Sequence, residues 1–163
     1  MLITLTGFMG SGKTTVGRII ADALGCPFMD LDSLVEKKAG KTVPEIFAGE
    51  GEAEFRSLEK QVLEQTVKKY ANADAVLSLG GGTAAIPGMA ALLREKTLCI
   101  YLQDSLENMR TRIVATPRPL AGEPLEELLA AREPFYAQAA TITLSTNGLS
   151  PEEIADEIII SCL

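Results

Sequence analysis

The sequence predicts an α/β fold, a single open sheet of parallel strands between two layers of helices, and three observations predict it. Short apolar runs exchange with longer amphipathic stretches along all 163 residues, with no internal repeat, low-complexity tract or long linker. The apolar runs are mostly continuous rather than alternating, as strands buried on both faces tend to be. A helical pattern separates each run from the next, which calls for right-handed crossovers and a three-layer α/β/α arrangement. One domain spanning 1–163 suits the length, and 47% apolar content supports a packed core.

The first strand is "LITLT" (2–6); the glycine-rich "GFMGSGKT" (7–14) follows it and opens a helix over 14–25. "PFMDL" (27–31) is the second strand. Helices over 32–38, 43–48 and 52–69 lead to the third, "AVLSL" (75–79), which runs into Gly80, Gly81 and Gly82. A helix over 86–94 precedes "LCIYL" (98–102), helices over 105–113 and 124–138 come next, and "TITLS" (141–145) leads to a helix over 151–162. Ligands of such sheets bind beyond the carboxyl ends of the strands. The glycine loop, Asp30 with Asp32, and the run Gly80–Gly82 all fall there.

Composition narrows the chemistry. A formal charge of −7 opposes a general field that attracts nucleic acid or anionic membrane, so any phosphate site has to be local. No apolar run approaches the roughly 18 to 20 residues of a membrane span, and "MLITLTG" lacks a charged leader region and cleavage site. The expectation is a cytoplasmic protein, without nucleic-acid or membrane partners, and a monomer. The chain has no histidine, which excludes histidine triads and most zinc hydrolase schemes. Cys26, Cys99 and Cys162 are scattered among apolar neighbours and read as buried, inert thiols.

"GFMGSGKT" fits GxxxxGK[ST] in the context that motif requires, between a strand and a helix. Glycines let successive N–H groups turn inward toward phosphate oxygens, and the following helix N-terminus adds partial positive charge. Gly10, Ser11, Gly12, Lys13, Thr14 and Thr15 are the expected nucleotide-binding residues, with Lys13 reaching the β- and γ-phosphates and Thr14 ligating Mg²⁺. The loop therefore calls for a nucleoside triphosphate. No guanine-reading NKxD occurs. "TLCIYLQD" imitates the magnesium-binding strand of a motor ATPase imperfectly at Asp104, and the third strand ends in "LGGG" without a carboxylate.

Elsewhere single residues leave two readings open. Asp30 and Asp32, one apart in extended backbone, would share a face; alternatively Asp32 caps a helix beginning at Ser33 and Asp30 is a solvated strand end. Arg56 has Glu52 at i−4 and Glu59 at i+3, partners for an ordinary surface ion pair. Three glycines at 80–82 call for a close backbone approach or an unusual φ, and a ligand is the favoured cause. "TPRPLAGEP" reads as a flap carrying Arg118, or as a plain proline-rich connection. Arg132 lies on a helix, where it could simply flank the core.

Taken together, "GFMGSGKTTVGR", "FMDLDSLVE", "EIFAGEGEAEFRSLE", "LSLGGG", "RPL" and "REPFY" resemble the shikimate kinase family in order and approximate spacing along nearly the whole chain. The resemblance implies a P-loop, nucleoside-monophosphate-kinase-like fold with strand order 2-3-1-4-5. It implies ATP-dependent phosphorylation of the 3-hydroxyl of shikimate, with Mg²⁺, on the way to chorismate and aromatic amino acids. By position, Asp32 is similar to the carboxylate that holds the substrate hydroxyls and Asp30 to the outer magnesium ligand. Arg56 and Arg132 are similar to the pair that grips the shikimate carboxylate, and Gly81 to a backbone N–H contact. Phe47 and Phe55 would wall the ring within a substrate segment of about 32–60, and Arg118 would be the arginine of a lid over about 113–123. Lys13, Asp32 and Arg118 are the expected catalytic residues.

Two departures stand out. The family often reads RPLL where this chain has "RPLA", ending at Ala121, and both Arg110 and Arg112 occupy the place of an adenine-stacking arginine, with Arg110 preferred. Backbone near Asn147–Pro151 is expected to border the adenine. The alternatives to shikimate phosphorylation are a gluconokinase, which shares the loop, and a nucleotide-binding regulatory module without turnover.

Overall fold

The computed structural model describes residues 1–114 and 124–163. Five strands, β1 (Leu2–Thr6), β2 (Phe28–Asp30), β3 (Ala75–Ser78), β4 (Leu98–Gln103) and β5 (Ile142–Ser145), form one parallel sheet in the order 2-3-1-4-5. β1 lies at the centre, with Ile3 opposite Val76 of β3 on one side and Leu98 of β4 on the other. The crossovers diverge to either side of β1, so its carboxyl end is the switch point where such sheets form a crevice.

Eight α-helices are described: α1 (Lys13–Leu24), α2 (Leu31–Ala39), α3 (Val43–Gly49), α4 (Gly51–Lys69), α5 (Met89–Lys96), α6 (Leu106–Val114), α7 (Leu125–Ala139) and α8 (Pro151–Cys162). Successive strand residues point to opposite faces, and both faces are covered. Ile3, Leu5, Val76, Ile100 and Leu102 share one core with Val16 and Ile20 of α1 and Ile154 and Ile158 of α8. Leu77, Cys99 and Tyr101 belong to a second core with Leu63 and Val67 of α4, Leu93 of α5 and Tyr136 of α7. Two covered faces explain why the central strands are apolar without alternation. The edge strand β5 alternates half-buried with exposed residues instead.

Most elements match the sequence reading within a residue or two, and two differ in ways that matter. The extended run at 27–31 stops at Asp30, because Leu31 already begins α2. Asp30, not Asp32, is the N-cap: its Oδ1 accepts from the Ser33 N–H at 3.1 Å. Asp30 and Asp32 therefore share no strand face; Asp32 sits in the first helical turn. The helix expected over 86–94 begins only at Met89 as α5, and a separate 3₁₀ turn at Thr83–Ala85 precedes Ile86. Pro87 keeps Ile86 extended, at φ −65° and ψ 129°, so no continuous helix can pass.

Cys99 is buried, and desolvation pushes its thiol up to about 11, in keeping with an inert group. Cys26 and Cys162 are only half-buried, a correction to the expectation that all three are enclosed. Among the described residues no helix is long and apolar enough to cross a membrane. Most of the expected lid, with Arg118 and Ala121, lies outside the described residues.

Candidate active site

The loop between β1 and α1 is held open by its glycines. Gly10 and Gly12 adopt φ values of 78° and 93°, a region that L side chains rarely enter. No side chain caps α1, so its first N–H groups stay available at the loop. Lys13 is buried, and its Nζ donates to the carbonyls of Gly7 and Phe8, each at 2.8 Å. Ser11 is buried too, with no hydrogen-bond partner for its hydroxyl among the described residues. The Thr14 hydroxyl donates to Asp30 Oδ2 at 3.2 Å and lies 3.4 Å from Ser78 Oγ. Gly10, Gly12, Lys13, Thr14 and Thr15 line a hollow here with Asp30, Asp32 and Ser78.

A second hollow adjoins the first. Phe47, Phe55, Arg56, Gly82 and Arg132 line it, together with Asp32, Gly80 and Gly81, which also border the phosphate-loop hollow. The rings of Phe47 and Phe55 stand 5.0 Å apart at 45°, forming one apolar wall. The glycine run shows no positive φ. Its bareness instead admits neighbours: a Cβ on Gly82 would stand 2.5 Å from Arg56 Nη2, and one on Gly81 3.4 Å from Arg132 Nη1.

The electrostatics favour an anion in this second hollow. The Arg56 side chain is 20% exposed and its Nη1 bonds Glu59 Oε2 at 2.7 Å, while the Glu59 side chain is 0% exposed. The surface ion-pair reading of Arg56 therefore fails for Glu59, which lies on the buried stripe of α4 with Phe55, Val62 and Leu63. The weaker contact to Glu52, at 3.4 Å, is the exposed one. Arg132 is buried, and among the described residues no carboxylate lies within ion-pair distance of it. Desolvation, with the neighbouring Arg56 guanidinium, lowers its pKa. A buried cation in that state calls for an anionic ligand.

Asp32 stands at the border of the two hollows with its carboxyl pushed up to about 6. Burial is the main cause, the Glu59 and Asp30 carboxylates add to it, and Lys13 opposes them. A carboxylate so placed can accept a hydrogen bond from a hydroxyl held between the phosphate loop and the guanidinium groups.

The two arginines expected near the adenine differ in their surroundings. Arg110 is half-exposed and pairs with Glu126, away from both hollows, whereas Arg112 borders the phosphate-loop hollow and donates to the Gly10 carbonyl at 2.7 Å. The sequence reading also missed Met9 and Val43 in the second hollow, Ser78 in the first, and Tyr136, whose hydroxyl donates to the Gly81 carbonyl. Glu59 alone carried a signal: a carboxylate at an apolar position of an amphipathic helix. Met9, Ser78 and Tyr136 lie within the motifs quoted above, yet which of their side chains reach a hollow depends on which strands become neighbours.

Fold and site together define a small-molecule phosphotransferase of the P-loop class. The shikimate kinase family model matches residues 9–163. The shikimate kinase of Mycobacterium avium is 40% identical over 161 residues, covering 95% of this chain and 89% of that protein. Among solved structures, shikimate kinase from Acinetobacter baumannii in complex with shikimate matches with a TM-score of 0.87 and 34% identity, over 97% of this chain and 90% of that one. Shikimate kinase from Aquifex aeolicus matches with a TM-score of 0.83 and 34% identity, over 99% and 95%. The chain belongs to the shikimate kinase family, and ATP is the phosphoryl donor of that family's reaction.

Proposed function

We propose that this chain transfers the terminal phosphoryl group of ATP to the 3-hydroxyl of shikimate, with the acceptor in the guanidinium-lined hollow. The observation that carries the reading is the shared border: Asp32, Gly80 and Gly81 line both hollows, so an acceptor held by one faces a triphosphate held by the other. Arg56 and Arg132 clamp the acceptor carboxylate, since arginine's planar fork matches two carboxylate oxygens. Phe47 and Phe55 lie under the ring, and the backbone at Gly81 contacts it. Gly10, Gly12, Lys13, Thr14 and Thr15 cradle the phosphates, and Arg112 lies on the nucleotide side.

Phosphoryl transfer passes through a loose transition state, so the protein's work is alignment and charge neutralisation. Asp32 accepts from the attacking hydroxyl and aligns it. A carboxyl group titrating near 6 takes the proton only as the new O–P bond forms, because an alcohol is far too weak an acid beforehand. Lys13 leaves its carbonyl partners for the phosphates as ATP binds, and Arg118 is assigned the neutralising role at the transferred group.

Magnesium fits the residues present. Thr14 Oγ1 and Asp30 Oδ2 stand 3.2 Å apart at the phosphate-loop hollow, two hard oxygens suited to an ion that keeps most of its ligands from phosphate and water. When bound, Mg²⁺ neutralises charge on the phosphate oxygens. Thr14 would hold it directly and Asp30 through its shell.

A coupled ADP-release assay offering shikimate, gluconate, nucleoside monophosphates or no acceptor tests the assignment. Turnover with shikimate alone is expected, over a slow background hydrolysis. Equal turnover with gluconate would favour the sugar-acid kinase, and none with any acceptor the regulatory module.

A further inference from the structure

β4 leads into a carboxylate that neither hollow contains. Asp104 stands where the sequence imitates a magnesium-binding strand end, yet its side chain is 1% exposed and both oxygens are engaged by protein. Oδ1 accepts from the Ser105 N–H at 2.8 Å and from Asn108 Nδ2 at 3.1 Å. Oδ2 accepts from Arg112 Nη1 at 3.1 Å, and the same nitrogen donates to the Gly10 carbonyl at 2.7 Å. Asn147, in the loop before α8, accepts from Ser105 N–H at 3.1 Å and lies 3.4 Å from Asn108 Nδ2. Hydrogen bonds thus run unbroken from that loop through Asp104 and Arg112 to the phosphate loop.

The Arg112 side chain is 49% exposed, and a long side chain so exposed ordinarily samples many rotamers. Here a charge-assisted bond to a buried acceptor fixes it. Nη1 carries both bonds, which leaves the Nε and Nη2 donors for a ligand in the hollow that Arg112 borders. The helix behind it lies close. A Cβ on Gly10 would stand 2.9 Å from the Met109 carbonyl and 3.1 Å from Ile113 Cγ1, so α6 abuts the loop it steadies.

We propose that Asp104 is a positioning residue for the nucleoside triphosphate: its buried carboxylate presets Arg112 on the rim of the phosphate loop, so that the ligand meets a fixed cation. The inference rests on the phosphate-loop hollow being the ATP site. Asp104 touches no substrate; it acts through Arg112 and through the loop carbonyl that Arg112 holds.

Calorimetric titration with Mg·ATP and steady-state kinetics test this on the full chain, using wild type, Asp104→Asn, Arg112→Ala, the double variant and Lys13→Ala. Asp104→Asn is expected to weaken ATP binding about tenfold, the scale of one charge-assisted contact, with the KM for shikimate within about twofold. Adding Asp104→Asn to Arg112→Ala should change ATP affinity by less than about twofold. Wild-type ATP affinity in Asp104→Asn, or an equal loss with and without Arg112, overturns the proposal. Lys13→Ala separates the two levels. Undiminished ATP affinity there sinks the assignment of the hollow itself, whereas a loss there with none in Asp104→Asn sinks this inference alone. Should Asp104→Asn not fold, Arg112→Lys reads the same relationship, because one amine cannot hold Gly10 and Asp104 and still offer a planar fork. Weakened ATP binding is expected, and wild-type affinity in Arg112→Lys overturns the proposal.

Discussion

Arg56 Nη1 donates to Glu59 Oε2 at 2.7 Å, and the Thr83 hydroxyl donates to the other oxygen of the same fully buried carboxylate. The guanidinium is thereby fixed against Gly82 before any ligand arrives, which lowers the ordering cost of binding. Glu59→Gln keeps the shape and removes the charge. It is expected to raise the KM for shikimate about tenfold, as for one charge-assisted bond, and to leave the KM for ATP unchanged in steady-state assays. Equal rises in both constants would assign Glu59 to the fold alone.

The pH dependence follows from Asp32. Its carboxyl titrates near 6, so below that pH it is protonated and no longer accepts freely from the acceptor hydroxyl. The kcat/KM for shikimate should fall on the acid side with an apparent pKa near 6. Glu59 contributes to the upward shift, so Glu59→Gln should move that limb to lower pH. A profile flat down to pH 4.5 would contradict the assignment of Asp32.

The same shift carries a stability consequence. A folded pKa raised above the unfolded value favours the folded state fully below about pH 4, and that advantage is lost as pH rises through about 6. At pH 7 the ionised, desolvated Asp32 is therefore a liability to the ligand-free protein. Asp32→Asn is expected to stabilise it by about 1 to 3 kcal/mol at pH 7, read as a higher Tm, while lowering kcat far more than it raises the KM for ATP. A lower Tm would show that the carboxylate supports the fold.

Gly82→Ala tests the packing of the clamp directly. The new Cβ would meet the Arg56 guanidinium at 2.5 to 2.8 Å, closer than contact allows, while the backbone there needs no glycine-only φ. The guanidinium has to move, so shikimate binding should weaken by about 1 to 3 kcal/mol, the scale of overpacking a filled site, with thermal stability and ATP binding little altered. Isothermal titration with each ligand separates these outcomes.

Much of this site is legible in the sequence. The phosphate loop declares itself locally, since three glycines, a lysine and a threonine between a strand and a helix have few other uses. The parallel sheet followed from continuous apolar runs separated by helices. Asp30 misled because its role depends on where β2 ends: one residue decides whether Asp32 extends a strand or enters a helix. The late start of α5 was written in Pro87 and Gly88, yet the helical pattern read from Ile86 onward outweighed them.

By itself the sequence determined the layer architecture and the phosphate loop, because each of these depends on neighbours a few positions apart; the arginines expected to hold an acidic acceptor, Arg56 and Arg132, followed only from the family resemblance. Only the tertiary structure decided that Glu59 is buried, that Arg112 rather than Arg110 meets the phosphate loop, and that Asp104 holds it there. Those relationships join residues up to 102 positions apart. The Arg112 and Asp104 contacts exist only once β1 and β4 pair and set the loops at their carboxyl ends side by side, and Glu59 is enclosed only once α4 packs against the turn after β3, where burial and charge act across space instead of along the chain.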